Sequence, residues 1–570
     1  MKAILSLITI LLATAVQAKN YVVAPGNPYG IEAALQQSRM DKIHGDSTPV
    51  TITLKAGVHR LLQSVILRQQ DNGLRIIGED GATVSGGVQI KGWKRKGRLW
   101  VADQPVFNGR PLEFRQMWVN GKKAVRARDV QDFEEMNRII NVNKKRECLY
   151  VPAKAVGTLK KKDALEGAEM VLHEMWCIAN LRIKDIEMMG DSAAVYFHQP
   201  ESHIHFMHPW PSPMVTTDGH NSAFYIMAKA YLDTPGEWWL DTRERKIYYM
   251  AEDADDMLNA DVEVPAVEAL LKTEGLADDM VTDVSISNIA FEYATWMRPS
   301  LMGHAPLQAG MYMIEAYKLK PKMERTDNHK LDNQGWVGRP SAAVEINYAD
   351  NISFCQCSFR HMASTALDYH QYIKGGEVSN CNFNDIGGSA ILAGTFGPEG
   401  HEQHIEYNVT DKREICDSLS ISGNKIHDAA NEDWGCLGIG AGWVSNIRIT
   451  DNEISDVSYT GISLGWGWNR QPCVMRNNLV KGNYIHHYAK HMYDTAGIYT
   501  LGNQPGSLIT NNKIDSIYTP GYVHDPNHWF YLYTDEGSSN ITIRGNWCPS
   551  EKFLQNANGP GNIWENNGPK

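Results

Sequence analysis

Apolar and polar residues alternate in short runs along most of the chain, a spacing typical of β-strands. Apolar residues at helical spacing are clearest in one window, Ile31 to Met40. The pattern therefore predicts an all-β protein with one short helix near its N-terminus. The clearest early strand runs end in or lead to Gly-containing turns, and they are TITLKAGVHRL (51–61), SVILRQQ (64–70) and LRIIGEDGATVSGG (74–87).

One motif recurs in the C-terminal half: an apolar strand, a short polar step, Asn, one variable residue and usually Ile. A repeat of this length with several strands is typical of one coil of a parallel β-helix, whose coils stack about 4.8 Å apart. Cys357 and Cys381 occupy the Asn position in two upstream copies. The copies ISGNKI, ITDNEI, VKGNYI, ITNNKI and IRGNWC place Asn at 424, 452, 483, 512 and 546, with gaps of 28, 31, 29 and 34 residues.

The recurring Asn has a structural explanation. Asn tolerates left-handed backbone geometry at turns, and stacked Asn amides can bond from coil to coil and satisfy buried turn backbone. We therefore predict a right-handed parallel β-helix with an Asn ladder that is structural and is not a binding site.

The rhythm of the repeat breaks between residues 95 and 265, which predicts a β-rich inserted or side domain. Residues 117–128 and 236–250 each indicate a hairpin, the first around Asn120-Gly121. The predicted organisation is a signal peptide (1–18), an N-terminal cap with the first coils (19–94), the inserted domain (95–265) and the main β-helix (266–570). Residues 320–339 and 400–417 are expected to form long loops.

Composition narrows the functional classes. MKAILSLITILLATAVQA has the basic, apolar and small-residue regions of a signal peptide, so we expect export to the periplasm or the cell exterior. A net charge of −11 spread along the chain argues against a nucleic-acid partner. No later segment is apolar enough to span a membrane, and we expect a monomer. Sixteen Trp residues suit stacking against sugars, although β-proteins also use Trp in the core.

Two acids fall outside the strand pattern. Stacking the coils on the Asn position pairs Thr500 with Thr534, and places Asp535 where the preceding coil has Leu501. The adjacent Glu536 is explained as the beginning of a turn. Asp494 precedes the strand of the neighbouring coil. Paired carboxylates among aromatic rings are what glycosidic-bond cleavage requires, one as acid and the other as base or nucleophile.

The predicted site therefore has Asp494 and Asp535 as catalytic residues. A structural alternative remains open, because Asp is a common turn residue and turn acids of solenoids can bind Ca²⁺. We expect no cofactor and no catalytic metal. The predicted substrate-binding residues are acidic, aromatic or imidazole side chains on the same side of successive coils: Glu432, Trp434, Trp466, Trp468, His491, Tyr499 and Trp529.

Five segments together resemble secreted β-helix carbohydrate enzymes of gut Bacteroidetes, and most closely glycoside hydrolase family 141. They are VSGGVQIKGW (84–93), MWVNGKKAVRAR (117–128), PGEWWLDTRERKIYYM (235–250), DTAGIYTLGNQPG (494–506) and YLYTDEGSSNITIRGN (531–546). The resemblance spans nearly the whole mature chain. It implies Asp494 and Asp535 as the catalytic pair and an α-L-fucosidase acting on a complex pectin of the rhamnogalacturonan II type.

Other functions remain open at the level of the sequence. The resemblance also allows a xylanase or another β-helix glycosidase acting on a plant polysaccharide. A Ca²⁺-dependent polysaccharide lyase is less favoured, because the conspicuous polar residues are acids and lyases usually use a Lys or Arg base. A β-helix that binds glycans without cleaving them is the non-enzymatic alternative.

Overall fold

The computed structural model describes residues 18–159, 162–208, 210–315, 336–398 and 400–569. Nearly all of the predicted signal peptide and most of the predicted 320–339 loop therefore lie outside the described residues. Within them, three long parallel sheets stack coil upon coil. The predicted parallel β-helix is confirmed.

The three sheets run along the whole helix. The first contains Lys19–Val23, Val50–Leu54, Arg75–Gly78, Ser285–Ser287, Ser353–Cys355, Glu377–Ser379, Ser420–Ser422, Arg448–Thr450, Leu479–Lys481, Asn503–Thr510, Ser539–Arg544 and Ile563–Glu565. The second contains Gly57–Arg60, Ala82–Ser85, Ala290–Glu292, Ser358–Met362, Asn382–Ile386, Lys425–Ala429, Glu453–Val457, Tyr484–His486 and Lys513–Asp515. The third contains Val65–Arg68, Leu271–Glu274, Ala342–Ile346, Thr365–Tyr369, Ile391–Ala393, Ile439–Ala441, Ile462–Leu464, Thr495–Thr500, Trp529–Thr534 and Phe553–Gln555.

Smaller elements complete the helix. A short parallel sheet at one corner contains Val281–Thr282, Ala349–Asp350, Ile373–Lys374, Cys416–Asp417 and Val444–Ser445. Tyr312–Met313 pairs with Val337–Gly338. The α-helices of the described residues are Gly30–Ile43, Glu201–Met207 and Arg298–Met302, and the first contains the predicted helical window.

The Asn ladder forms as predicted. Each side-chain amide donates to the Oδ1 atom of the Asn one coil further on, at 2.8–2.9 Å. Asn424 Oδ1 also accepts from the backbone N–H of Cys381 at 2.9 Å, so Cys381 does lie in the Asn position of its coil. The ladder consists of Asn424, Asn452, Asn483, Asn512, Asn546 and Asn567.

Apolar residues stacked in register form the core of the helix. Burying one Val, Ile or Phe side chain stabilises the fold by about 1.5–3 kcal/mol. Because each coil alone would expose this row to water, the coils are stable only when stacked. In the first sheet the fully buried row is Ile286, Phe354, Val378, Ile421, Ile449, Val480, Ile509 and Ile543.

The segment after residue 86 leaves the helix and forms mostly antiparallel sheets. One contains Lys122–Lys123, Trp118–Val119, Val262–Pro265 and Gly87–Gln89, and another contains Val125–Arg126, Glu237–Asp241, Lys246–Tyr249, Leu99–Asp103 and Lys94–Lys96. The largest contains Asn137–Arg138, Ala223–Met227, Glu169–His173, Ile178–Met189, Ser192–Phe197, Cys148–Pro152 and Asn141–Asn143. Val106–Phe107 pairs with Arg110–Pro111.

The two ends of this segment meet. Gly87–Gln89 pairs antiparallel with Val262–Pro265, so the chain leaves and re-enters the helix at one place. The strand Arg75–Gly78 then pairs directly with Ser285–Ser287, and the stack continues without a gap.

Both predicted hairpins are confirmed. Trp118 pairs with Lys123 across a turn in which Asn120 and Gly121 have φ of 51° and 76°, as a type I′ turn requires. Trp238 pairs with Tyr249 in the second hairpin. In the part of the chain described, no helix is both long enough and apolar enough to cross a membrane.

Candidate active site

Two neighbouring strands of the third sheet carry the predicted catalytic acids. Thr495–Thr500 and Trp529–Thr534 run parallel, with Thr500 opposite Thr534, so the register predicted from the Asn repeat is confirmed. Asp494 immediately precedes the first strand, and Asp535 immediately follows the second.

Asp535 is a buried carboxylate held by two neutral donors. Its side chain is part of a residue only 8% exposed. Tyr499 Oη donates to Oδ2 at 2.6 Å, and Asn556 Nδ2 donates to Oδ1 at 2.8 Å. Burial raises the pKa of Asp535 to about 6, and the negative charge of Asp494 also raises it, against the two hydrogen bonds, which lower it. A carboxyl group in this state can give a proton at mildly acidic pH.

Asp494 has different surroundings. Its Oδ1 atom lies 3.1 Å from Nε2 of His528, and this interaction is the main reason why the pKa of His528 is raised. The backbone N–H of Asp494 donates to the carbonyl of His528 at 2.7 Å, and Tyr459 Oη donates to the carbonyl of Asp494 at 3.0 Å. These contacts fix the residue at both backbone groups, with φ of 53°.

A third buried ring, Tyr533, lies near both acids. Its ring packs edge-on against Tyr499, with centroids 5.0 Å apart. Burial raises the pKa of Tyr533, and the charges of Asp494 and Asp535 raise it further. The same two charges raise the pKa of buried Tyr459. The two carboxylates therefore belong to one electrostatically coupled group.

Two of the predicted substrate-binding rings lie together beside this group. Trp434 stacks on His491 with ring centroids 4.2 Å apart, and Phe133 of the inserted segment packs edge-on at 4.8 Å from Trp434. His491 Nδ1 and Tyr522 Oη are 2.6 Å apart, and burial lowers the pKa of His491 to about 3. His491 is therefore neutral at physiological pH. This cluster joins the inserted segment to the helix.

Three other rings that were predicted to bind substrate, Trp466, Trp468 and Trp529, lie outside this cluster. Trp466 is 1% exposed and donates from Nε1 to Gln403 Oε1 at 2.6 Å. It supports the partly exposed Trp468, 5.2 Å away, and offers substrate no free face itself. Trp529 is partly exposed, with the Lys552 ammonium 3.8 Å from its ring centroid.

Glu432 lies in a different cluster. Its Oε1 atom is 3.4 Å from Lys123 Nζ, which is also 2.8 Å from Asp385 Oδ1. Trp118 Nε1 donates to Asp385 Oδ2 at 2.7 Å, and His361 Nδ1 is 2.8 Å from the same atom. These contacts attach the hairpin of the inserted segment to the helix. The structure therefore does not bring Glu432 together with the two aspartates.

Comparison with known proteins identifies the class of enzyme. Residues 97–252 match the family model described as the GH141 insertion domain, and residues 408–552 match the one described as the right handed beta helix region. A solved structure titled "Glycoside hydrolase" is 52% identical, with a TM-score of 0.93 and 97% of each chain covered. The chain is a glycoside hydrolase.

Weaker likenesses add nothing to this identification. The glycoside hydrolase is 12% identical to the structure titled "The complex structure of XylC with xylose", with a TM-score of 0.43, 90% of this chain covered and 66% of the other. No curated protein matches the chain.

Sequence reasoning missed several partners of the two acids in this glycoside hydrolase. Gln308 donates from Nε2 to Tyr499 Oη at 3.3 Å, and it lies in a loop outside the Asn repeat. Asn556 comes from the next coil, and His528 precedes the strand that ends at Thr534. The aromatic run before Asp535 was the only signal for Tyr533. Among the described residues, no group of three or more His, Cys, Asp or Glu side chains is arranged to hold a metal ion.

Proposed function

We propose that Asp494 and Asp535 are the catalytic pair of this glycoside hydrolase. The observation that carries the proposal is the buried carboxyl of Asp535, whose pKa is raised in part by Asp494 from the adjacent strand. Perturbed, coupled carboxylates are characteristic of catalytic sites. Trp468 and Trp529, which are partly exposed, supply the apolar faces that sugars stack on, whereas Trp434, Tyr499 and Tyr533 are buried.

The different surroundings of the two acids support different roles. Asp535, protonated below a pKa of about 6, is the general acid that gives its proton to the glycosidic oxygen. Asp494, beside the imidazole of His528, supplies the carboxylate that activates water or attacks the anomeric carbon. Tyr499 and Asn556 hold the carboxyl of Asp535 and accommodate its charge after the proton has left.

The proposed substrate is an α-L-fucoside in a complex pectin of the rhamnogalacturonan II type. The GH141 insertion domain supports it, together with the family resemblance of the segments that contain the two aspartates. The signal-peptide pattern at the N-terminus supports action in the periplasm or outside the cell.

The direct test compares Asp494→Asn and Asp535→Asn with Glu536→Gln, a control that changes the exposed acid next to Asp535. Each variant is assayed on 4-nitrophenyl α-L-fucoside, a 4-nitrophenyl xyloside and a pectin digest. We expect either aspartate variant to lose about 10²–10⁴-fold in rate, and the control to keep it. If both aspartate variants keep near wild-type rates, the catalytic assignment is wrong. If the xyloside is cleaved and the fucoside is not, the sugar is wrong and the aspartates stand.

A further inference from the structure

A cavity lies between the inserted segment and the helix Arg298–Met302, apart from the candidate active site. Its volume is about 350 Å³, within the range of small-molecule sites. It opens between the segment that precedes the strand Glu169–His173, the end of the strand Glu237–Asp241 and the helix Arg298–Met302. Its lining shares no residue with the groups around Asp494 and Asp535.

The cavity has an aromatic and a charged part. Phe114 and Trp239 are lining residues, and the Arg126 guanidinium lies 4.7 Å from the ring centroid of Trp239. Arg126 Nη1 is 2.9 Å from Glu169 Oε2, and Arg115 holds the same carboxylate from the other side at 2.6 Å. Arg126 is thereby fixed in position, and its Nη2 atom donates to the carbonyl of Gly167 over a long distance of 3.4 Å.

Most of the remaining charges come in pairs, and Glu113 is a further, exposed acid of the lining. Lys229 Nζ is 2.6 Å from Asp241 Oδ2, and Arg182 Nε is 2.7 Å from Glu201 Oε1. Arg243 pairs with Glu166. The walls therefore offer many donors and acceptors without a cluster of one sign of charge. An ionic ligand would have to disrupt these pairs, whereas a polyol can donate to the carboxylates and accept from the cations.

We propose that this cavity binds a neutral sugar unit of a glycan. A pyranose presents both an apolar face and hydroxyl groups that donate and accept, which matches the exposed ring atoms of Phe114 and Trp239 beside oppositely charged groups. The inserted segment would then hold a polysaccharide while the β-helix cleaves it. The proposal depends on the chain being a glycoside hydrolase and is independent of the role of the two aspartates.

The test uses the full-length protein labelled with 5-fluorotryptophan, with the ¹⁹F resonance of Trp239 assigned from Trp239→Phe. L-Fucose, D-xylose and D-galactose are titrated separately, with D-galacturonic acid as the acidic comparison. We expect at least one neutral sugar to shift the Trp239 resonance saturably at millimolar concentration, more strongly than the acid. If no neutral sugar shifts it, or if only the acid does, the proposal is overturned.

Thr242→Trp adds a blocking variant, because Thr242 is an exposed lining residue and a large ring there is expected to obstruct the cavity. Thr217→Trp is the matched control, an exposed Thr of the inserted segment outside the cavity. We expect Thr242→Trp to raise the dissociation constant of the sugar at least tenfold and Thr217→Trp to leave it unchanged. Equal titrations in both variants contradict the proposal, and the wild-type titration decides it if the blocking variant does not fold.

Discussion

Asp385 and Asp535 are buried to nearly the same degree, 9% and 8% exposed, but their surroundings affect ionisation in opposite directions. Burial raises the pKa of Asp385, yet the charge of Lys123 and the bonds from His361 and Lys123 outweigh it and hold that pKa well below its ordinary value. Asp535 is bonded by the neutral side chains of Tyr499 and Asn556 and lies near the negative Asp494, so the effect of burial is not outweighed and its pKa is raised. The sign of the nearest charge, more than burial, separates a structural carboxylate from one that can exchange a proton.

The largest effect is expected at Asp385. Asp385→Asn leaves the ammonium of Lys123 without its closest carboxylate, so we expect a loss of about 3 kcal/mol in the free energy of unfolding. The rate on a responsive glycoside should stay within a few fold, since the cluster lies outside the group around Asp535. Denaturant unfolding and initial rates measure the two quantities.

A double-mutant cycle sharpens this prediction. Lys123→Met removes the cation instead, and the double variant should recover much of the loss, because the closest pair is then removed together and Glu432, the other acid beside Lys123, is partly exposed to water. Additive losses would show that the two side chains are not coupled.

At Asp535, replacing the acid by Asn is expected to increase the free energy of unfolding at neutral pH, whereas the same change at Asp385 lowers it. Its native pKa exceeds the unfolded value, so the wild type loses stability as pH rises from about 4 to 6, while the native state keeps a proton that the unfolded chain releases. Asp535→Asn removes this cost. Its effect on the free energy of unfolding, relative to the wild type, should therefore be about 1–3 kcal/mol more favourable at pH 7.5 than at pH 4.5. Unfolding at the two pH values is the measurement. An equal destabilisation at both would contradict the raised pKa.

Tyr499→Phe tests the hydrogen bond that lowers the pKa of Asp535. Without it the carboxylate is less stable, so the alkaline limb of kcat/KM should move to higher pH by about 1 unit. The pH profile on a small glycoside measures the limb. Tyr518→Phe is the control, because Tyr518 bonds Asp456 instead. A limb that stays in place or moves down would argue against Asp535 as the acid.

The smallest effect is expected at Asn556, an exposed residue whose amide also lowers the pKa of Asp535. Asn556→Ala should move the same limb upward by about half a unit, since water replaces part of the lost bond. In the double variant with Tyr499→Phe, the limb should move to higher pH than in either single variant. A downward shift in the single variant would contradict this account.

The periodic parts of the molecule were predictable from the sequence. The Asn ladder, the hairpin at Asn120 and the pairing of Thr500 with Thr534 all follow from local turn chemistry and a regular repeat. The identification of Glu536 as a turn residue follows from the same register, and it is exposed in a turn.

The surroundings of the acids were not predictable in the same way. Gln308 and Asn556 reach Tyr499 and Asp535 from other parts of the chain, and no repeat relates them. Glu432 occupies nearly the same place in its coil as Asp494, yet it contacts Lys123, because the inserted hairpin covers that coil. Which acids face substrate therefore depends on what packs over each coil, and the repeat does not record it.

The pairing of residue 75 with residue 285 also sets an order of folding. At synthesis rates of about 5–20 residues per second, the covering strand emerges roughly ten seconds or more after the strand it covers. During that interval the N-terminal coils present an open sheet edge that can pair with other chains. The inserted segment is complete before the edge is covered, so it can fold first and bring the N-terminal coils together with the rest of the solenoid.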